Sequence, residues 1–316
     1  MSAAGLSSRA IIGRFYETLG AMRARTWLDK VAMPFQSDQA SETYKWLGQS
    51  PAMREWIGER LAKGLRENGL TIVNKTFEGT LKIAVDDIRR DKTGQVDVRI
   101  RELAERALTH EMSLVSTLIA NGASGLAYDG EYFFDTDHKE GENQTNQSNS
   151  ITFDISDGGG GGTTTFPTVA TMQRAILAAV SQMLGFKDDQ NEPMAELAKN
   201  FLVMTGPSLM APALGACALP TIDAGASNLI TAQKKFMIEP EVNARLTGFT
   251  DKFIVFRTDG ATKAMINQEE EAISVAAIAE GSEHEFKNNE HLYGVKRIGN
   301  AGYGMWQHAC LVTFQA

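Results

Sequence analysis

From Leu70 to Val85 the chain is rich in Thr, Ile, Val and Phe, and Phe77, Leu81, Ile83 and Val85 recur mostly at every second position against Glu78, Thr80 and Lys82. Period two predicts a strand with one apolar and one polar face. The charged run from Asp86 to Gly94 follows and ends in glycine, which predicts a turn and a return through Gln95–Val98. From about Ile100 the period changes: Ile100, Leu103, Ala107, Met112, Val115, Leu118 and Ile119 follow helical spacing, with Asp97 near the start and Gly122 as the stop. At 1.5 Å per residue this helix is a rod roughly 35 Å long. A lone two-stranded hairpin is marginal in water, so the face of Leu81, Ile83 and Val85 is expected to lie on a neighbouring copy. That is a physical sign of assembly.

Upstream, Ile12, Phe15, Leu19 and Met22 share one helical face between Ser8 and Trp27, which predicts a partly helical arm. Ser50-Pro51 opens a second predicted helix whose buried face is Met53, Trp56, Ile57 and Leu61. Downstream, Asp129-Gly130 marks a turn between apolar segments. The Asn/Gln-rich run Glu142–Ser150 and the five glycines Gly158–Gly162 read as loops. Thr168–Leu184 is an amphipathic helix stopped by Gly185, with Val169, Met172, Ile176, Val180 and Met183 along its stripe. Strands are expected at Phe201–Thr205, Asn228–Ile230, Lys235–Ile238, Phe253–Arg257 and Ala272–Ile278, and a short helix after Gly206-Pro207-Ser208. A last strand puts Trp306, Cys310, Val312 and Phe314 on one face. Interleaved strands and helices make this an α+β chain.

A hydrophobic content of 43% over 316 residues supplies a sizeable core and excludes disorder as the whole answer. No stretch approaches the length of a membrane span, and the first residues lack the plan of a secretory signal, so the chain is expected in the cytosol. Cys217 and Cys310 have no metal or disulfide spacing and are expected as buried thiols. The net charge of −8 hides an asymmetry: residues 1–110 carry 18 Lys plus Arg against 14 Asp plus Glu, and residues 111–316 carry 13 against 25. The front is therefore +4 and the back −12. Arg9, Arg14, Arg23 and Arg25 make a mildly basic arm, far from the dense stripe that grips a nucleic-acid backbone.

Asp135-Thr136-Asp137-His138 is the one tight His–carboxylate cluster after a strand signal, the donor set of a divalent metal. It sits among turn-formers, and hydrogen bonds that hold the loop over Phe133 or Phe134 are the expected work. Glu283-His284-Glu285 with His291 is looser and reads as solvated surface. The glycine run lacks the Lys-Ser/Thr of a phosphate loop, and no Gly-x-Ser-x-Gly elbow occurs. Tyr44, Trp46 and Trp56 read as packing anchors. No catalytic residue, cofactor or metal is assigned; the alternative is a metal-dependent hydrolase built on Asp135, Asp137 and His138.

The ordered strings Tyr44-Lys45-Trp46-Leu47-Gly48, Pro51-Ala52-Met53-Arg54-Glu55-Trp56-Ile57-Gly58-Glu59-Arg60 and Asn74-Lys75-Thr76-Phe77-Glu78 follow one another closely. With Tyr128–Phe134, Asp137-His138, Tyr293-Gly294-Val295-Lys296 and Trp306-Gln307, they resemble the Mu-like phage major head subunit family from about Phe15 to Phe314. The resemblance implies the Hong Kong 97-type major capsid fold and a virion shell protein, made in the host cytoplasm, with no enzymatic role. It implies an N-terminal arm at 1–50, a helix and extended loop at 51–98, and a peripheral domain with spine helix at 99–149. An axial domain follows at 150–263, then a peripheral return at 264–298 and a terminal axial strand at 299–316. The implied partners are the chain itself in pentamers and hexamers, a scaffolding/protease protein, a portal protein, a decoration protein and enclosed double-stranded DNA, and no membrane.

Overall fold

The computed structural model describes residues 7–24, 26–45, 47, 69–91, 94–140, 143–156, 166–188, 191–222 and 225–315. In chain order, α1 (Ser8–Arg23) and α2 (Leu28–Val31) precede β1 (Ala32–Gln36), β2 (Ser41–Tyr44), β3 (Leu70–Val73) and β4 (Lys75–Ala84). A short α3 (Val85–Arg90) leads to the long α4 (Gln95–Ala120), then β5 (His138–Glu140), β6 (Asn143–Gln147) and β7 (Ser150–Asp154). Next come α5 (Val169–Leu184), β8 (Asn200–Thr205), α6 (Met210–Ala218), α7 (Leu229–Ala232), β9 (Met237–Val242) and β10 (Lys252–Arg257). The chain closes with β11 (Met265–Ile278), α8 (Glu283–Asn288), β12 (Glu290–Tyr303) and β13 (Ala309–Gln315).

These elements build two cores. A five-stranded sheet in the order β7-β13-β10-β8-β9 carries α5 and α6 and forms the larger one, around Phe201, Phe253, Val255, Met172, Ile176 and Trp306. Its central strands are buried on both faces, which is why Phe253–Phe256 and Ala309–Val312 read as continuous apolar runs rather than alternations. A four-stranded sheet in the order β1-β11-β12-β4 carries the second core, where Ile83, Ile273, Tyr293 and Val295 meet Ile11 and Phe15 of α1 and Val96, Ile100 and Ala104 of α4.

Helix α4 belongs to both. Its first half enters the smaller core, while Val115 and Ile119 enter the larger. At 26 residues it spans about 39 Å. The paired strands β11 and β12 run alongside: Met265, Ile266, Ala301 and Tyr303 lie in the larger core and Ile273, Tyr293 and Val295 in the smaller.

Several expectations hold. Helix α5 is capped by Thr168, whose side chain accepts from the Thr171 N–H, and Gly185 follows its last turn. Strands β8 and β10 fall on the expected residues, and Gly130 takes the turn with φ of 95°.

The hairpin at Leu70–Val98 does not form as expected. Gln95–Val98 is the first turn of α4, because Asp91 caps it: its Oδ1 and Oδ2 accept from the Gln95 and Val96 N–H groups at 3.0 and 2.9 Å. Strand β4 instead pairs antiparallel with β12, from Lys75↔Gly299 to Ala84↔Glu290. Its apolar face therefore has a partner inside the same chain: Ile83 is buried, and Leu81 packs on the second core. The hairpin that does form lies earlier, with β2 antiparallel to β3 from Ser41↔Val73 to Tyr44↔Leu70. The Asn/Gln-rich run includes β6, which pairs with β5. Asn228–Ile230 is a helix start, not a strand, because the Asn228 side chain accepts from the Ile230 N–H as a cap. The helix expected from Ser50 to Leu61 and the five glycines lie outside the described residues.

Because the Ile83 face is internal, Ile83→Ala is expected to destabilise the dissociated protomer by about 2–4 kcal/mol. Urea unfolding followed by circular dichroism measures it, and an unchanged midpoint contradicts the internal packing.

Candidate functional site

The residues proposed from sequence as a metal cluster do not converge. His138 is fully buried, with Nδ1 2.6 Å from Asp129 Oδ2, and its ring stacks on Trp306 at 4.1 Å and 6°. Asp135 turns away: its Oδ1 accepts from the Thr136 N–H and its Oδ2 from the Tyr132 N–H. Asp137 Oδ1 accepts from Asn146 Nδ2 at 3.0 Å. Among the described residues no group of three or more His, Cys, Asp or Glu is placed to hold a metal ion.

What the cluster does is staple. Beside the His138–Asp129 couple, the Tyr128 hydroxyl donates to Glu140 Oε2 at 2.8 Å, and Gln307 Nε2 donates to both that hydroxyl and the same carboxylate at 2.7 and 2.9 Å. Burial, then the Glu140 charge, pushes the Tyr128 phenol well above its ordinary range. These bonds tie the turn after α4 and strand β5 to the connection between β12 and β13. Asn149 adds to it, donating to the Phe133 and Trp306 carbonyls. Sequence spacing named His138 but missed Asp129, Glu140 and Gln307, since their approach is made by the fold. The looser group is not all solvated surface: His291 is buried, with Nε2 3.1 Å from Glu285 Oε1, while His284 Nδ1 meets Asn288 Nδ2 at 2.9 Å apart from that pair.

A second buried polar set lies where α4 crosses the smaller sheet. Glu111 is fully buried, with Oε1 3.3 Å from Arg297 Nε, and its Oε2 accepts from Asn267 Nδ2 at 3.3 Å. Burial raises the Glu111 carboxyl, opposed first by Arg297 and then by Arg23, whose Nη2 lies 4.0 Å away at the end of α1. Nearby, the Tyr44 hydroxyl donates to Gln268 Oε1 at 2.7 Å, so Tyr44 is a packing anchor with a polar tip; Trp46 and Trp56 lie outside the described residues. The arm is docked by the same crossing. Arg9 is exposed, Arg14 Nε lies 3.9 Å from Asp97 Oδ1, and Arg25 lies outside the described residues.

The thiols are inert by environment, both pushed up to about 12 by burial, with Cys310 fully buried and Cys217 half-buried. Large apolar side chains stand exposed instead at the tip of the β11–β12 pair, where Phe286 is 92% exposed, and at Leu197, Met210, Leu214 and Leu229 beside the larger sheet. Such surface is what contacts between copies use.

Two outcomes follow from the buried groups. His138→Ala removes both the hydrogen bond to Asp129 and the packing on Trp306 from a fully buried position and is expected to cost about 3 kcal/mol, more than a single hydrogen bond, whereas Asp137→Ala costs at most about 1 kcal/mol; equal losses in denaturant titrations contradict the staple. His308, whose Nε2 is 2.7 Å from Thr262 Oγ1, is lowered from 6.5 to about 4, by burial first and then by Arg257 and Lys263. The folded chain keeps this imidazole neutral while the unfolded chain protonates it, so the stability is full above pH 6.5 and is lost as pH falls toward 4. That gap is worth about 3 kcal/mol, and the acid-dependent loss is expected to shrink by this amount in His308→Gln; identical pH profiles for the two proteins contradict it.

Comparison with known proteins gives one consistent picture. The sequence profile of the family described as "Mu-like prophage major head subunit gpT" matches residues 9–167 and 239–314. A "Mu-like prophage FluMu major head subunit" of Haemophilus influenzae is 36% identical over 138 residues, 44% of this chain and 45% of that protein. The "Major capsid protein" of Escherichia phage Mu is 36% identical over 119 residues, 38% of this chain and 39% of that protein. The matched stretches thus span less than half the length of these curated relatives. A chain in the procapsid of bacteriophage JBD30 superimposes with a TM-score of 0.55 at 26% identity, covering 98% of this chain and 75% of that one. The α+β fold is that of Hong Kong 97-type phage capsid proteins, and the chain belongs to the Mu-like prophage major head subunit family.

Proposed function

We propose that this protein is the major capsid subunit of a Mu-like phage or prophage, assembling with itself in rings of five and six to close an icosahedral shell around double-stranded DNA. The observation that carries the reading is the fold correspondence over 98% of the chain with a procapsid subunit. The layout suits the task. A rod and a long strand pair tie two cores into one protomer, while apolar side chains stand exposed at the far tip of the pair and beside the larger sheet. Shell contacts then need no catalytic group, and the family and its structural relatives are head and capsid proteins.

In this reading the smaller sheet with α1 and α4 is the peripheral domain and the five-stranded sheet with α5 and α6 is the axial domain. The segment carrying β2 and β3 takes the role of the extended loop. The acidic back half is poorly suited to DNA, so the basic arm carrying Arg9 and Arg14 faces inward, toward scaffold and packaged DNA; a portal and a decoration protein complete the partners. The purified chain, expressed with its scaffolding protein, is expected to form closed particles in negative-stain electron microscopy. Discrete small oligomers under all assembly conditions contradict the reading. Arg9→Glu is expected to reduce particle yield without shifting the unfolding midpoint, and normal yield contradicts the inward arm.

A further inference from the structure

A cavity of about 290 Å³ opens between α4 and the outer strand β4 of the smaller sheet. Its walls are Phe77, Leu103, Ala107, Ile273 and Val295, and Arg297 and His110 also line it. Arg297 is only 3% exposed, yet its guanidinium is incompletely used. Nη2 donates to Asn267 Oδ1 at 2.9 Å, whereas among the described residues Nη1 has no partner and Nε faces Glu111 at 3.3 Å without hydrogen-bond geometry. His110 Nε2 is likewise buried without a partner among the described residues, its ring held 4.2 Å from Phe77. Glu111 balances the charge of the guanidinium, but the Nη1 N–H groups are left without an acceptor, and a buried donor left unmet is costly. Glu78 lines the cavity too, but its Oε2 already accepts from Thr80 Oγ1.

We propose that this cavity is a binding site for a carboxylate carried on a compact apolar body, the carboxylate taking Arg297 Nη1 and His110 Nε2 and the body filling the space between Phe77, Leu103 and Val295. The chemistry has two sources, a free short-chain organic acid or the acidic side chain of a second copy of this chain. The polar end selects charge, and the walls limit size. Lysine is a poor substitute there, because a single ammonium cannot keep the Asn267 contact, face Glu111 and still present an N–H to the cavity as the guanidinium does.

The test titrates the unassembled full-length protein with hexanoate and with hexan-1-ol, read by saturation-transfer NMR. Hexanoate is expected to bind saturably and hexan-1-ol at least about tenfold more weakly, the loss of one charge-assisted hydrogen bond. Arg297→Lys should weaken hexanoate by a similar factor. Because a change at Arg297 can disturb folding, Ala107→Phe serves as the second variant: it fills the cavity from its half-buried helix wall and should abolish binding in a protein with wild-type circular dichroism. Equal binding of acid and alcohol, no binding to the wild type, or hexanoate binding unaffected by Ala107→Phe overturns the site. Repeating the titration on assembled particles distinguishes the sources. Binding lost on assembly identifies a neighbouring copy's carboxylate as the occupant, and binding retained identifies a free acid.

Discussion

The crossing of α4 over the β11–β12 pair is the contact on which the rest of the protomer depends. On one side of it Val96, Ile100 and Ala104 close the smaller core, and on the other Val115 and Ile119 close the larger. Each fully buried aliphatic side chain contributes roughly 1.5–3 kcal/mol. Between the two apolar stretches lies the polar layer of Glu111, Arg297, Asn267 and Gln268. Sliding the helix by one residue rotates its face by about 100°, which would bury Glu111 against hydrocarbon and strand Arg297. The polar layer thus adds little net stability, since desolvation offsets attraction, but it singles out one register. The strand side is fixed at the same place: β11 carries a bulge between Glu269 and Glu271, next to Gly299, where an added Cβ would stand 2.3 Å from the Gln268 carbonyl oxygen.

That constraint suits the proposed role of a shell subunit. A protomer that carries force across a shell needs its parts joined by something stiff, and a helix and two strands that run through both cores provide it. The arm follows the same logic, since α1 is held by Ile11 and Phe15 in the smaller core and by Arg23 beside Glu111. The buried His138–Asp129 couple and its neighbours, the residues most suggestive of chemistry in the sequence, instead fasten the turn after α4 to the last strands of the larger sheet. Charge is spent on geometry throughout.

Elements set by local signals were legible in the sequence. Helix α5 has its Thr168 cap and apolar stripe, β8 and β10 their apolar runs, and the latter half of α4 its spacing. The misreadings arose where distant residues decide. The alternation in β4 is genuine, but its partner β12 lies at the far end of the chain, so a local hairpin was the nearest pattern that fitted. Asp91 and Asn228 looked like turn and strand residues because a cap's effect is seen only once the helix it serves is placed. The candidate site was half legible for the same reason. His138 stood out as a titratable group among carboxylates, but its true partner is Asp129, presented across the Gly130 turn, and no spacing rule points from Glu111 to Arg297.

Native-state hydrogen exchange on the unassembled protomer tests the central claim, that α4 and the β11–β12 pair weld two cores into one cooperative unit. The backbone amides of Ile100–Ile119 and of Tyr293–Ala301 are predicted to exchange with a common opening free energy and a common denaturant dependence. An N-terminal half of α4 that opens together with β4 and β12 while Val115, Ile119 and the five-stranded sheet stay protected would contradict it.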